Sequence, residues 1–424
     1  MSRNRVKIPC TAPLLYLSLV VMIRSCEHVG PLVRAPGPAF LAVAIIVGSL
    51  LGGIGCTSEA TPPRVSPLGL DDGTVVVDRV VSEDATFRVV RVLEGLDHPW
   101  SVAWLPDGRM LITERPGRLR LVDGDSIRTV AGLPDIRARG QGGLLEVALP
   151  PNHAETGWIY LTYSAPGDGG LATALMRARL DGATLVDQDL LYQQTPFTRG
   201  GRHSGSRIVF PGDGTLLFSV GDRGLRDPAQ DPRNAIGSIV RLNLDGSIPE
   251  DNPFIGRDDI LPEIYSYVHR NPQGMAVAAD GTLWAHEHGP RGGDELNRIE
   301  GGKNYGWPAI TYGREYSNNA PIGGTEAPGM EQPAVIWTPS IAPSGLAVYR
   351  GDAFPGWRDN LFVGALAHQK LQRVVLSGGA VAHQETLLDK TIGRIRDVRM
   401  GPDGLLYILT DASNGGLYRL EPVA

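Results

Sequence analysis

Four times along the chain an apolar run breaks at Asp-Gly and resumes as alternating apolar residues. The breaks fall at Asp107-Gly108 within Val102–Ile112, Asp213-Gly214 within Ile208–Phe218, Asp280-Gly281 within Met275–Ala285, and Asp403-Gly404 within Val398–Ile408. Asp-Gly between two such runs predicts a tight hairpin, because the turn needs positive φ and glycine supplies it without a Cβ clash. Further hairpins are predicted for Trp158–Tyr163 with Ala174–Leu180 and for Leu361–Gly364 with Leu371–Leu376. A hairpin repeated at intervals is how propeller blades are written in sequence. The spacing is uneven, with insertions at Gly246–Ile260 and Thr311–Gln332, so the repeat alone does not count the blades. With 54 Gly and 33 Pro and no long amphipathic helical pattern, the chain reads as many short strands joined by turns.

The formal net charge of −6, and the lack of a basic run beyond the N-terminal segment, argue against nucleic acid as a partner. All three cysteines, Cys10, Cys26 and Cys56, precede Thr57, so the body contains no disulfide and no thiolate ligand. The N-terminus is basic at Arg3, Arg5 and Lys7, then apolar from Pro13 to Ile23. A second apolar run, Ala39–Leu51, follows Arg34 and leads to Gly-Gly-Ile-Gly-Cys56, close to a bacterial lipobox but with Gly53 where that pattern prefers leucine. Residues 1–56 are therefore expected to export the chain, with membrane attachment only through a lipidated Cys56. A cleaved secretory signal and an uncleaved anchor stay open as alternatives. Residues 57–80 are expected to be a tether and 81–424 the folded domain.

Chemistry concentrates in one region. His269-Arg-Asn-Pro-Gln-Gly-Met275, His286-Glu-His-Gly-Pro-Arg-Gly-Gly-Asp-Glu295 and Lys303-Asn-Tyr-Gly-Trp-Pro308 place imidazoles, arginine, carboxylates and sharp turns around the run Met275–Trp284. Elsewhere, His203 lies in a Gly-Arg-His-Ser-Gly-Ser-Arg turn leading into Ile208–Phe210. A neutral imidazole there is suited to taking a hydroxyl proton near pH 7. Arg394 and Arg396 alternate on a predicted strand and so share a face, where two guanidinium groups can grip carboxylates. No Gly-x-Gly-x-x-Gly, Gly-x-Ser-x-Gly or His-Glu-x-x-His occurs, which disfavours nicotinamide, serine-hydrolase and helical zinc chemistry.

Taken in order, Gly140-Gln141-Gly-Gly-Leu-Leu, His203-x-Gly-x-Arg207, Gly221-Asp222-Arg-Gly, Arg270-Asn271-Pro-Gln-Gly, His288-Gly289-Pro290, Gly292-Gly-Asp294-Glu295, Asn304-Tyr305-Gly-Trp-Pro, Ser340-Ile-Ala-Pro-Ser-Gly345 and Arg394-Ile-Arg396 resemble the soluble quinoprotein glucose/sorbosone (aldose) dehydrogenases. The resemblance runs from about Pro99-Trp100 to the C-terminus. It implies an all-β, six-bladed β-propeller of four-stranded antiparallel blades. It also implies pyrroloquinoline quinone (PQQ) and Ca²⁺ as cofactors, and oxidation of the C1 hydroxyl of an aldose to a lactone. His203 would be the general base, Asp222 its orienting carboxylate and Arg270 the group stabilising developing negative charge. Arg270, Asn271, His288, Arg394 and Arg396 would hold the quinone. Gln141 and Trp337, with Thr338 beside it, would meet the sugar. The carbonyls of Gly289 and Pro290 would bind the cofactor's calcium, and Glu295 with Tyr305 a second, structural one. Electrons would leave to an acceptor in the envelope.

Two positions depart from the family pattern. Ala367 stands where the family's glucose dehydrogenases carry a cofactor-contacting lysine, with Lys370 three residues on, and Arg202 replaces an aspartate before the histidine. Other readings fit the same elements: a calcium-dependent propeller lactonase or esterase, which has no need of the Arg394/Arg396 clamp, and a non-catalytic binding propeller, which needs neither His203 nor Asp222.

Overall fold

The computed structural model describes residues 73–423. Residues 1–56, expected to act in export and holding Cys10, Cys26 and Cys56, lie outside these residues.

All four of the Asp-Gly pairs singled out above are hairpins. Each links a blade's innermost strand to the next one out, with φ of 90° at Gly108, 85° at Gly214, 85° at Gly281 and 77° at Gly404. In each case the aspartate oxygen accepts the backbone N–H two residues on, from Arg109, Thr215, Thr282 and Leu405. The side chain thus satisfies a donor that the turn leaves free. Blades two and five lack the signature. They turn instead through the short helix His153–Thr156, ended by left-handed Gly157, and the 3-10 turn Pro355–Trp357.

The strands form six antiparallel sheets. Their innermost strands are Pro99–Trp104, Leu144–Ala148, Ile208–Val209, Pro272–Val277, Pro343–Val348 and Ile395–Met400. Each contacts the next and the last contacts the first, closing a six-bladed β-propeller as expected. Six apolar clusters occupy the joints between blades. Leu111 with Val147 fills the first, and Tyr407 with Ile112 fills the one that closes the ring. Strands between two blades are buried on both faces, so Met110–Glu114, Leu361–Ala365 and Leu406–Thr410 show no exposed residue. Outer strands face water, and Ser126–Thr129 is exposed throughout. This radial gradient, rather than strict alternation, is the burial pattern of stacked blades.

Blade six joins both ends of the described chain. Ile395–Met400, Leu406–Thr410 and Gly415–Pro422 pair onward to Thr86–Leu96, and Thr74–Val81 adds a fifth strand at the edge. The expected tether, residues 57–80, therefore gives way to strand at Thr74, and this blade exceeds four strands. The edge strand's alternation of Val with Asp and Arg was hidden by its position next to a Pro- and Ser-rich stretch.

Candidate active site

The entrances of the innermost strands converge on a polar cavity of about 300 Å³ at one end of the ring. A buried ion cluster lies beneath it. Arg207, 1% exposed, bonds Glu146 at 2.6 Å and Asp397 at 2.9 Å, and stacks on Trp100, which lines the cavity. Arg399 pairs with the same two carboxylates. The opening at the opposite end, about 810 Å³, is lined mainly by the apolar far halves of the same strands and by the Arg350 and Arg399 side chains.

His203 lies on the cavity wall in the left-handed region, at φ 50°, which costs a non-glycine residue roughly 1–3 kcal/mol and calls for local support. The Gln141 side-chain oxygen accepts its backbone N–H at 2.8 Å. Gly221 permits the close approach, since a Cβ there would stand 2.1 Å from the His203 carbonyl. The ring Nδ1 meets Asp222 Oδ1 at 2.5 Å. With Nδ1–H donated to that carboxylate, Nε2 carries the lone pair.

Asp222 is 1% exposed and fully satisfied: Gly224 N–H donates to Oδ1 at 2.7 Å and the Trp307 indole to Oδ2 at 2.8 Å. Burial would raise its pKa, but the His203 bond, the charges of His203 and Arg270, and the Gly224 amide outweigh this and hold it below the usual carboxylate value. Burial pushes the His203 imidazole below its ordinary value despite Asp222. The pair is a neutral base held in one tautomer by an ionised acid.

Arg270, 7% exposed, donates to the carbonyls of His288 and Gly289, both at 2.8 Å, and lies over the Trp307 ring. Its Nε is buried with no protein partner. A polar chain fixes its backbone: Ser266 Oγ bonds His269, His269 bonds Glu287 at 3.0 Å, and Glu287 accepts Arg270 N–H at 2.5 Å. Asn271 accepts from Gly205 N–H and faces His288 Nδ1 at 3.5 Å. His288 gives its Nε2 proton to the Pro343 carbonyl, and burial holds it neutral, well below the ordinary imidazole value.

Arg394 and Arg396 both line the cavity and both reach Asp411 Oδ2, at 3.4 and 2.9 Å. Arg394 precedes the strand rather than lying on it, and a register shift after Ile395 accompanies this. Asp411 was missed from sequence. Burial would raise its pKa, yet Arg396, His98 and Arg394 draw it far below the usual range. Gln273, Arg115 and Tyr316 also line the cavity without having been assigned a role. Gln273 sat inside a quoted motif, whereas Arg115 and Tyr316 carried no local signal.

Trp337 requires a correction. It is 7% exposed, packs with Leu346, Val348 and Val363 in the joint between blades four and five, and donates its indole N–H to Gln384 at 2.9 Å. It does not line the cavity, because a blade's fourth strand lies too far from the axis. Thr338 instead braces the loop below it, accepting Gly293 N–H at 3.1 Å. Lys370 is also absent from the cavity lining and reaches Thr386, so it does not replace a cation at Ala367. Arg202 is exposed and forms no part of the wall.

The cavity's charged lining suits a flat polyanion: Arg115, Arg270, Arg394 and Arg396 against Asp411 alone. For a cation the fit is narrower. Among the described residues no group of three or more His, Cys, Asp or Glu converges, so calcium would rest on carbonyls and few carboxylates. The Gly289 carbonyl accepts from Arg270 and the Pro290 carbonyl from Tyr316 at 3.0 Å, so a metal would share or displace those donors. Glu295 fits better. Burial, then the neighbouring Glu287, pushes its pKa up to about 8, the mark of a carboxylate lacking positive charge nearby. The Tyr305 hydroxyl is committed to Arg298 O and Glu300 N–H, which leaves its carbonyl for a ligand role.

A propeller whose axial pocket joins a buried His–Asp pair to a wall of arginines has the form of a quinoprotein-type sugar dehydrogenase. The profile of the glucose/sorbosone dehydrogenase family matches residues 96–419, and the chain belongs to that family. The aldose sugar dehydrogenase of Escherichia coli K12 is 45% identical over 347 residues, covering 80% of this chain and 94% of that protein. The crystal structure of the soluble E. coli aldose sugar dehydrogenase in its apo-form superposes with TM-score 0.77 at 44% identity, covering 80% of this chain and all of that one. The PQQ-bound aldose sugar dehydrogenase of Streptomyces coelicolor gives TM-score 0.64 at 28% identity, over 80% and 99% of the two chains.

Proposed function

We propose that this protein oxidises the C1 hydroxyl of aldose sugars to lactones in a PQQ-dependent reaction with His203 as general base. The observation that carries the reading is the His203–Asp222 pair on the wall of an arginine-lined cavity. When bound, PQQ supplies an electrophilic ortho-quinone that accepts hydride. His203 Nε2 takes the anomeric hydroxyl proton as hydride leaves C1, so the sugar loses two electrons and one proton passes to the protein. Asp222 then faces an imidazolium and stabilises it. Arg270 stabilises negative charge developing above it. Arg394 and Arg396 would hold the cofactor's carboxylates, His288 on the wall and Asn271 beneath it would help to hold the cofactor, and the Gln141 amide nitrogen, left free by its oxygen's bond to His203, would meet the sugar. Calcium is assigned to the Gly289 and Pro290 carbonyls and to Glu295 with the Tyr305 carbonyl.

The substrate is a small aldose, and the electrons go to an acceptor in the cell envelope. The protein is exported to the periplasm or outer envelope, with lipidated Cys56 as its membrane attachment. The test is reconstitution with PQQ and Ca²⁺, following dye reduction across a panel of aldoses. Turnover that requires both and disappears in His203→Ala upholds the reading. Failure to bind PQQ, by absorbance or calorimetry, overturns it in favour of lactone hydrolysis or a binding role.

A further inference from the structure

Four arginines line the cavity, and three make two or more hydrogen bonds through their guanidinium groups. Arg270 holds two carbonyls, while Arg394 and Arg396 share Asp411 and also bond Leu366 O, Gln273 and Ser344. Arg115 differs. Among the described residues its guanidinium makes one hydrogen bond, from Nη1 to the Gly140 carbonyl at 2.6 Å, and pairs with no carboxylate. A guanidinium has five N–H donors in a fixed fork, so most of its capacity is free.

The root of this side chain is fixed. Arg115 follows directly on Met110–Glu114, a fully buried strand. Its own N–H donates to His98 O at 3.0 Å, and its carbonyl accepts Leu144 N–H at 3.2 Å. Gly143 lets that carbonyl approach, since a Cβ there would stand 1.8 Å away. The guanidinium therefore enters the cavity beside Gln141 and within electrostatic reach of Arg396, with little backbone freedom to lose on binding.

We infer that Arg115 is an anion-binding residue of this cavity, its guanidinium receiving a planar carboxylate brought in by the cofactor or by an acidic sugar. The cofactor source rests on the PQQ-dependent reading above; the anion site itself does not. Unlike Arg394 and Arg396, Arg115 can meet a carboxylate without first releasing an internal acid, and unlike Arg270 it gives up at most one carbonyl. Charge-assisted pairing of this kind is expected to change affinity about ten- to a hundredfold.

The experiment compares the full-length protein with Arg115→Gln and Arg115→Lys, each checked for an unchanged thermal transition. Three affinities are measured: PQQ by absorbance titration, the redox-inert flat tricarboxylate trimesate by calorimetry, and the KM ratio of glucuronate to glucose. A ten- to hundredfold weaker PQQ affinity in Arg115→Gln, partly restored by Arg115→Lys, assigns the carboxylate to the cofactor. An unchanged PQQ affinity with a raised KM for glucuronate alone assigns it to the sugar. If the unsubstituted protein binds no PQQ, the dehydrogenase reading fails, yet weaker trimesate binding in Arg115→Gln still upholds the anion site. Unchanged affinity for both tricarboxylates, with glucose and glucuronate KM unchanged or raised equally, overturns the proposal. Arg115 would then serve only to hold Gly140.

Discussion

At the residue scale the site turns on which atoms are already occupied. His203 gives one nitrogen to Asp222 and keeps the other for the cavity. Replacing Asp222 with Asn removes the charge that raises the imidazole's affinity for protons and disturbs the tautomer. Turnover is expected to fall about a hundredfold or more, with the acid limb of kcat/KM moving to lower pH. A pH–rate profile of the reconstituted protein reads both; an unmoved limb would show that another group titrates. Trp337 supplies the converse test. Trp337→Phe keeps most of the packing but loses the bond to Gln384, so unfolding in denaturant should show a loss of about 1–2 kcal/mol with an unaltered sugar KM. A raised KM would return Trp337 to the sugar site.

Elements show how a closed ring is made from an open chain. Thr86–Leu96 supplies the fourth strand of a blade whose three inner strands come from the C-terminus, and Val423 N–H donates to Thr86 O at 3.0 Å across the seam. Removing residues up to Leu96 exposes a strand edge and the Phe87 and Val89 contacts of the blade-five joint. Such a chain is expected to lose its cooperative thermal transition, whereas one starting at Gly73 keeps it. Differential scanning calorimetry separates the two outcomes.

For the molecule as a whole, buried neutral histidines tie stability to pH. Burial holds His286 down to about 4, and His203 and His288 also lie below the ordinary value. The unfolded chain takes up these protons near pH ~6.5, where the folded protein refuses them. Stability is thus complete above that value and falls as pH drops from about 6.5 toward 4. His286 alone contributes roughly 3 kcal/mol at 1.36 kcal/mol per unit. Urea melts at pH 7.5 and 5 check the direction. Calcium should act oppositely at Glu295: saturating Ca²⁺ raises the melting temperature through mass action, and Glu295→Gln abolishes most of the rise.

Local chemistry made much of this legible in the chain. Asp-Gly fixes a turn by φ alone, so four hairpins followed directly, and two blades that turn by short helices gave no such mark. The order of motifs implied His203, Asp222, Arg270, Asn271, His288, Arg394 and Arg396, and five of these seven line the cavity; Asp222 stands behind His203, and Asn271 holds Gly205 and Gln273 beneath the wall. Tertiary structure alone decided the rest. Asp411 meets Arg396 through strand pairing within blade six, and Arg115 meets Gly140 where blade one adjoins the loop to blade two, both near the ring's axis and neither marked locally in sequence. Trp337 left the site because distance from that axis depends on strand order within a blade and not on neighbours in sequence.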